Sequence, residues 1–185
     1  MKLIHRRSFL ELAVAALPAP LFGQTPSLAS PTTELRVPAG MDREGKKHAI
    51  GLSSTTYKVL TRDTAGALFV LEQSNHKKGG PRQHVHHAED ELFYSLEGDY
   101  IVEIGTERFR PQTGDCVLGP RGVPHAWAFA GESAGRLLLS WAPAGKMEAY
   151  FNELERTGTK FSSASDTVLM RAYGMELTGP AIVVD

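Results

Sequence analysis

The chain has 185 residues, 42% of them hydrophobic and 22% charged, with 20 basic against 21 acidic side chains. That profile excludes a disordered tail protein, a collagen-like polymer and a multi-pass membrane protein, and the length suits one core-bearing domain better than two. A net charge of -1 leaves no cationic surplus to track a phosphate backbone, so no nucleic-acid partner is expected.

Residues 1–29 read as an export signal. Lys2, His5, Arg6 and Arg7 precede a short, weakly apolar run from Ser8 to Leu17 that Pro18 ends, too short to span a bilayer. The run Arg6-Arg7-Ser8-Phe9-Leu10 resembles the twin-arginine signature. This resemblance implies export of the folded protein to the periplasm or cell envelope, with its cofactor already acquired, and no membrane contact after signal removal. Ser27-Leu28-Ala29 offers a cleavage site after Ala29, and Gly23 is the other candidate. An amphipathic first helix of the mature fold is the competing reading, but Pro18 and Pro20 would cut it short. Residues 30–50, with Pro31, Pro38 and Gly40, read as an arm or linker.

Residues 51–145 break into short β-prone runs. In chain order these are Thr55 to Leu60, Ala67 to Leu71, Glu91 to Leu96, Tyr100 to Ile104, Glu107 to Arg110, Cys116 to Leu118, His125 to Phe129 and Leu137 to Trp141. Turn signals separate them, among them Glu97-Gly98-Asp99 and Pro120-Arg121-Gly122. The gaps leave no room for crossover helices, so the class is all-β, a sandwich or barrel. Cys116 has no second cysteine to pair with and no activating base beside it, and is expected to be a small buried hydrophobe. Residues 146–185 read as a C-terminal helical extension and tail. Met147, Tyr150, Phe151 and Leu154 make the stripe of a core-facing helix, and a shorter helix follows from Asp166, read as its N-cap, to Ala172.

Chemistry concentrates on histidine. His84 and His86 are two apart, a spacing that turns both imidazoles to one face of a strand and His87 to the other. Glu91 can return a carboxylate to the same place after a turn, and His125 opens a later strand behind a Pro-bounded turn. Three neutral imidazoles and one carboxylate suit one divalent first-row ion (Mn, Fe, Co, Ni, Cu or Zn) and leave about one or two coordination positions open for solvent or substrate. A solvated surface cluster around a polar turn is the competing reading of these residues.

Two linked motifs carry a family resemblance. His84-Val85-His86, Glu91 after four residues and Gly98 after six more resemble the first signature of the cupin superfamily. Gly114, then Pro120-Arg121-Gly122, then His125 resemble the second. The chain departs from the pattern twice: Gly79 stands one residue too near His84, and Phe129 occupies a position where the family usually has Asn. The resemblance implies a single-domain jelly-roll β-barrel, with His84, His86, Glu91 and His125 as metal ligands, and a homodimer. It extends to small quercetinase-type dioxygenases, which implies Glu91 as both ligand and general base, acting on a flavonol-like or enediol small molecule.

Strand parity adds a pocket. If Glu91 faces inward, so do Phe93 and Ser95; if His125 does, so do Trp127 and Phe129. These four are expected to line the substrate pocket, while Leu92, Tyr94 and Leu96 face a partner sheet or subunit. Two other functions stay open: a non-redox isomerase or lyase of a sugar or hydroxy-carbonyl compound, and a binding protein without turnover.

Overall fold

The computed structural model describes residues 36–159 and 163–185. The expected export signal and the expected cleavage site lie outside these residues. In chain order the elements are β1 (His48–Ile50), β2 (Ser53–Val59), β3 (Phe69–Asn75), β4 (Arg82–His86), β5 (Asp90–Glu97), β6 (Tyr100–Ile104), β7 (Glu107–Phe109), β8 (Cys116–Gly119), β9 (His125–Phe129), β10 (Gly135–Ala142), α1 (Met147–Thr157), α2 (Ala164–Ala172) and β11 (Met175–Ala181). They form two sheets, ordered β1-β2-β3-β10-β5-β8 and β11-β4-β9-β6-β7, in which every described pairing is antiparallel. The architecture is of the all-β class that the turn spacing predicts, in the barrel form that the resemblance implies, with the C-terminal helices that the apolar stripe predicts.

Alternation builds the core. Glu91, Phe93 and Ser95 of β5 point between the sheets and are at most 2% exposed, whereas Tyr94 is 37% exposed on the outside. Leu137, Leu139 and Trp141 of β10 meet them from the neighbouring strand. The α1 stripe Met147, Tyr150, Phe151 and Leu154 is buried against the same core. Turns fix the register: Gly98 holds φ +84°, and a Cβ there would stand 2.7 Å from the Ala134 carbonyl oxygen, so only glycine fits.

Three features differ from the sequence reading. Residues 175–181 are not tail but the strand β11, paired with β4 along Met175–His86, Glu176–Val85 and Leu177–His84. Beyond it, Ile182 packs with Ile101, Ala126 and Ala128, which is why β9 is buried on both faces. Second, Ser163 rather than Asp166 caps α2: its hydroxyl accepts the Asp166 backbone N–H at 3.1 Å. The Asp166 carboxylate turns inward, where it accepts the Tyr150 hydroxyl at 3.0 Å. Third, Cys116 is exposed, not buried. It lies opposite Tyr94 on β8, the edge strand of its sheet, so it shares the outward face of Tyr94.

The two departures from the family pattern meet each other. Gly79 and Phe129 exchange both backbone hydrogen bonds, Gly79 N–H to the Phe129 carbonyl at 3.0 Å and the reverse at 2.9 Å. No helix among the described residues is long and apolar enough to cross a membrane.

Candidate metal centre

Two strands of one sheet and one strand of the other supply the site. His84 and His86 stand on β4 and His125 at the start of β9, directly across from His84. Glu91 reaches in from β5 on the opposite sheet. The Gly122 backbone N–H donates to the His86 carbonyl at 2.8 Å, which ties the turn before His125 to the end of β4. Arg121 clamps the same turn to Asp90 through two contacts of 3.0 and 2.7 Å.

The four expected ligands converge. One ligand atom from each of His84, His86, Glu91 and His125 lies within 4.8 Å of the others, and all four side chains are buried. One oxygen, Glu91 Oε2, stands 3.1 Å from Nε2 of both His86 and His125. His87 is exposed and points away, 3.8 Å from Glu176.

The donor set itself calls for a cation. His84 Nδ1 lies 2.8 Å from the Arg82 carbonyl, and His125 Nδ1 lies 2.9 Å from that of Val123. A carbonyl only accepts, so both Nδ1 atoms carry a proton, and each ring in its neutral form turns an Nε2 lone pair inward. Those lone pairs and a carboxylate oxygen cannot crowd together unless positive charge lies between them. Without metal, a proton supplies some of it. Burial lowers the His86 pKa, but the Glu89 and Glu91 carboxylates outweigh burial and raise it to about 9. Burial raises the Glu91 carboxyl, and the His125 and His86 rings reverse this and hold it well below the usual carboxylate range. At His84 the Glu91 charge does not prevail: burial, then repulsion from His125 and His86, push it down to about 3, leaving a neutral imidazole ready to ligate.

A cavity opens beside these groups. It is lined on one side by His84, His86, Glu91 and Trp127 and on the other by the helices, through Met147, Tyr150, Phe151, Asp166 and Met170. The space open to the centre of a water molecule is about 30 Å3, room for an ion and about two waters. Of the residues expected to line a substrate pocket, Trp127 does so. Phe93, Ser95 and Phe129 are buried but do not line the cavity. Phe93 instead packs edge-on against His125, with ring centroids 5.8 Å apart. Phe129 packs on Tyr100 where β6 and β9 pair at their far end from His125.

The helix residues of this cavity escaped sequence reasoning, which saw the α1 stripe without knowing what it faced. Trp141 also escaped it. Its indole lines the cavity, its Nε1 is buried with no hydrogen-bond partner among the described residues, and its ring lies 6.5 Å from that of His86. Cross-strand pairing with Glu91 places it there, and pairing is not written in the local pattern.

Residues 72–141 match the family model described as "Cupin domain". No curated protein matches the chain. Among solved structures it is similar to KdgF from Halomonas sp., at 19% identity over 56% of this chain and 90% of that one, with a TM-score of 0.49. An RmlC-like cupin from Shewanella frigidimarina is 19% identical over 56% and 87% of the two chains, with a TM-score of 0.47. A predicted oxalate decarboxylase from Thermotoga maritima is 14% identical over 49% and 80%, also with a TM-score of 0.47. The matched segment holds both histidine motifs and all four converging side chains, a group fit to bind a metal ion, and this part of the chain is similar to a cupin domain.

Proposed function

We propose that this chain is an exported, metal-dependent dioxygenase of a compact phenolic or enediol compound. The observation that carries the proposal is the convergence of three imidazoles and Glu91 beside a cavity with aromatic walls, which His84, His86 and Glu91 help to line. A bound first-row ion supplies Lewis acidity that stabilises a substrate oxyanion. His84, His86 and His125 hold it, and Glu91 both ligates and stands ready to take the substrate's hydroxyl proton. Trp127, Trp141 and Phe151 offer flat apolar surface to a ring and keep bulk water out. The small cavity favours a compact substrate over a three-ring flavonol, and either one requires α1 or α2 to give way.

Oxygen uptake tests this reading. Protein reconstituted with Mn, Fe, Co, Ni or Cu is offered catechols, enediols and flavonols, with Glu91→Gln as control. Uptake with one metal form, absent in the control, is expected; no uptake across the whole panel ends the proposal.

The Tyr150–Asp166 pair favours a second reading. It adds proton-bearing groups to the same cavity, as a non-redox isomerase or lyase of a hydroxy-carbonyl compound would need. That enzyme would turn over without oxygen and would accept a redox-inert ion. Export through the twin-arginine route belongs to the proposal too: Arg6→Lys with Arg7→Lys should retain the protein in the cytoplasm. A homodimer is proposed through the outward face that exposes Tyr94 and Leu118, and Leu118→Glu should yield a monomer in light scattering.

A further inference from the structure

The three imidazoles differ in what stands behind them. His84 and His125 turn Nδ1 to a backbone carbonyl two residues earlier. His86 does not: its Nδ1 faces Oε2 of Glu89 at 3.7 Å. Both of these atoms are buried with no hydrogen-bond partner among the described residues. Glu89 is only 3% exposed, in the turn between β4 and β5, and is neither one of the converging ligands nor part of the cavity wall.

The carboxylate is held from its other side. It lies against Gly145, where any Cβ would overlap Oε1. The Lys146 backbone N–H donates to it at the start of α1. Glu89 thus touches both a metal-binding ring and the first residues of the helix that closes the cavity. A buried carboxylate with one open oxygen, facing a buried ring nitrogen with nothing else to bond, is costly unless the two complete each other.

We propose that Glu89 is a positioning residue acting through His86. It receives the Nδ1–H hydrogen bond when an ion occupies Nε2, and so ties metal binding to the start of α1. The separation of 3.7 Å is longer than a hydrogen bond, and a small rotation of the ring toward Glu89 closes it. An imidazole backed by a carboxylate is a more basic ligand than one backed by a carbonyl, which makes His86 the strongest donor of the three. The proposal rests on the metal-centre reading and not on the dioxygenase reading.

Cobalt(II) titration followed in the visible tests it. Glu89→Gln preserves size and an acceptor for Lys146 but withdraws the charge. It is expected to weaken Co(II) binding by about 10–100-fold and to change the absorption bands, which a merely structural role would leave alone. Hydrogen exchange at the Lys146 and Met147 amides should slow on adding Co(II) to wild type, and not in the variant. Gly145→Ala displaces the carboxylate without removing it and should weaken binding in the same direction, so the proposal stays testable if Glu89→Gln folds poorly. Unchanged affinity and bands in the folded variants, beside a wild type that binds, overturn the role of Glu89 alone. A wild type that binds no Co(II) overturns the metal centre and this proposal with it.

Discussion

His84 and His125 stand directly opposite each other where β4 pairs with β9, their ring centroids 4.8 Å apart. Two segments far apart in sequence thus deliver one half of the site by strand register. Register of this kind is all or nothing, because a slip of one residue turns every side chain of the strand to the other face. The last candidate ligand, Glu91, comes from the opposite sheet, so a bound ion would tie the two layers of the barrel together.

Metal removal and ligand substitution should therefore act on stability as well as on binding. His125→Ala and Glu91→Gln are expected to lose more affinity than the 10–100-fold typical of outer groups. In wild type a saturating ion should raise the melting temperature, and a chelator should reverse the rise. Calorimetry with and without EDTA reads both; a melting temperature blind to the ion would contradict a bridging role.

Glu72 sets an acid limit on the fold. It is 7% exposed, receives the Arg136 guanidinium at 2.8 Å and lies 3.3 Å from the Lys58 ammonium. Burial raises its carboxyl pKa, but the Arg136 hydrogen bond and the Lys58 charge outweigh burial and leave it below the ordinary 4.5. A lowered folded value means a contribution fully present above 4.5 and lost as pH falls through the folded pKa. Glu72→Gln should cost about 1–2 kcal/mol at pH 7, and the gap to wild type should shrink toward pH 3. Denaturant melts at the two pH values give the comparison, and a gap that grows in acid would reverse the sign.

The strands bounded by Gly and Pro were legible in the sequence: Tyr100–Ile104 and His125–Phe129 fall where the punctuation puts them. A spacing of two and a turn are local instructions that bring His84, His86 and Glu91 together, whereas His125, from a distant segment, was placed with them by the motif resemblance. Strand β11 was not legible, since Gly179 and Pro180 break its alternation and its partner lies far back in the chain. The pocket was legible only in part. Parity says which face Phe93 and Phe129 take but not how deep along the barrel they lie, and both fell outside the cavity. Tyr150 and Asp166 entered it through helix docking, which no local pattern records.

That late strand carries weight for the site. It covers the outer edge of β4, opposite the one that pairs with β9, and Met175, only 2% exposed, sits beside His86. Met175→Ala should cost about 2–5 kcal/mol. Truncation after Gly174 should do more, because it bares the backbone edge of the strand that carries two candidate ligands. The expected outcome is a protein that aggregates and binds metal weakly; a soluble truncation with wild-type affinity would show that β4 needs no partner there.

Phe151 decides how much room the cavity has. It is 5% exposed on α1, packs 5.2 Å from Trp141 and 5.4 Å from Tyr150 between ring centroids, and forms part of the wall facing the ligands. Phe151→Ala removes the whole ring at a cost of about 3–5 kcal/mol, since packed surroundings relax only partly into the space. The new void is bounded by Phe69, Trp141 and Tyr150, whose apolar rings suit an aromatic guest. Benzene or indole should therefore raise the melting temperature of Phe151→Ala while leaving wild type unmoved. Once a turnover assay exists, the variant should lower KM for two-ring substrates more than for one-ring substrates. A guest that stabilises both proteins equally would mean that α1 already yields in wild type and that Phe151 does not set the size limit.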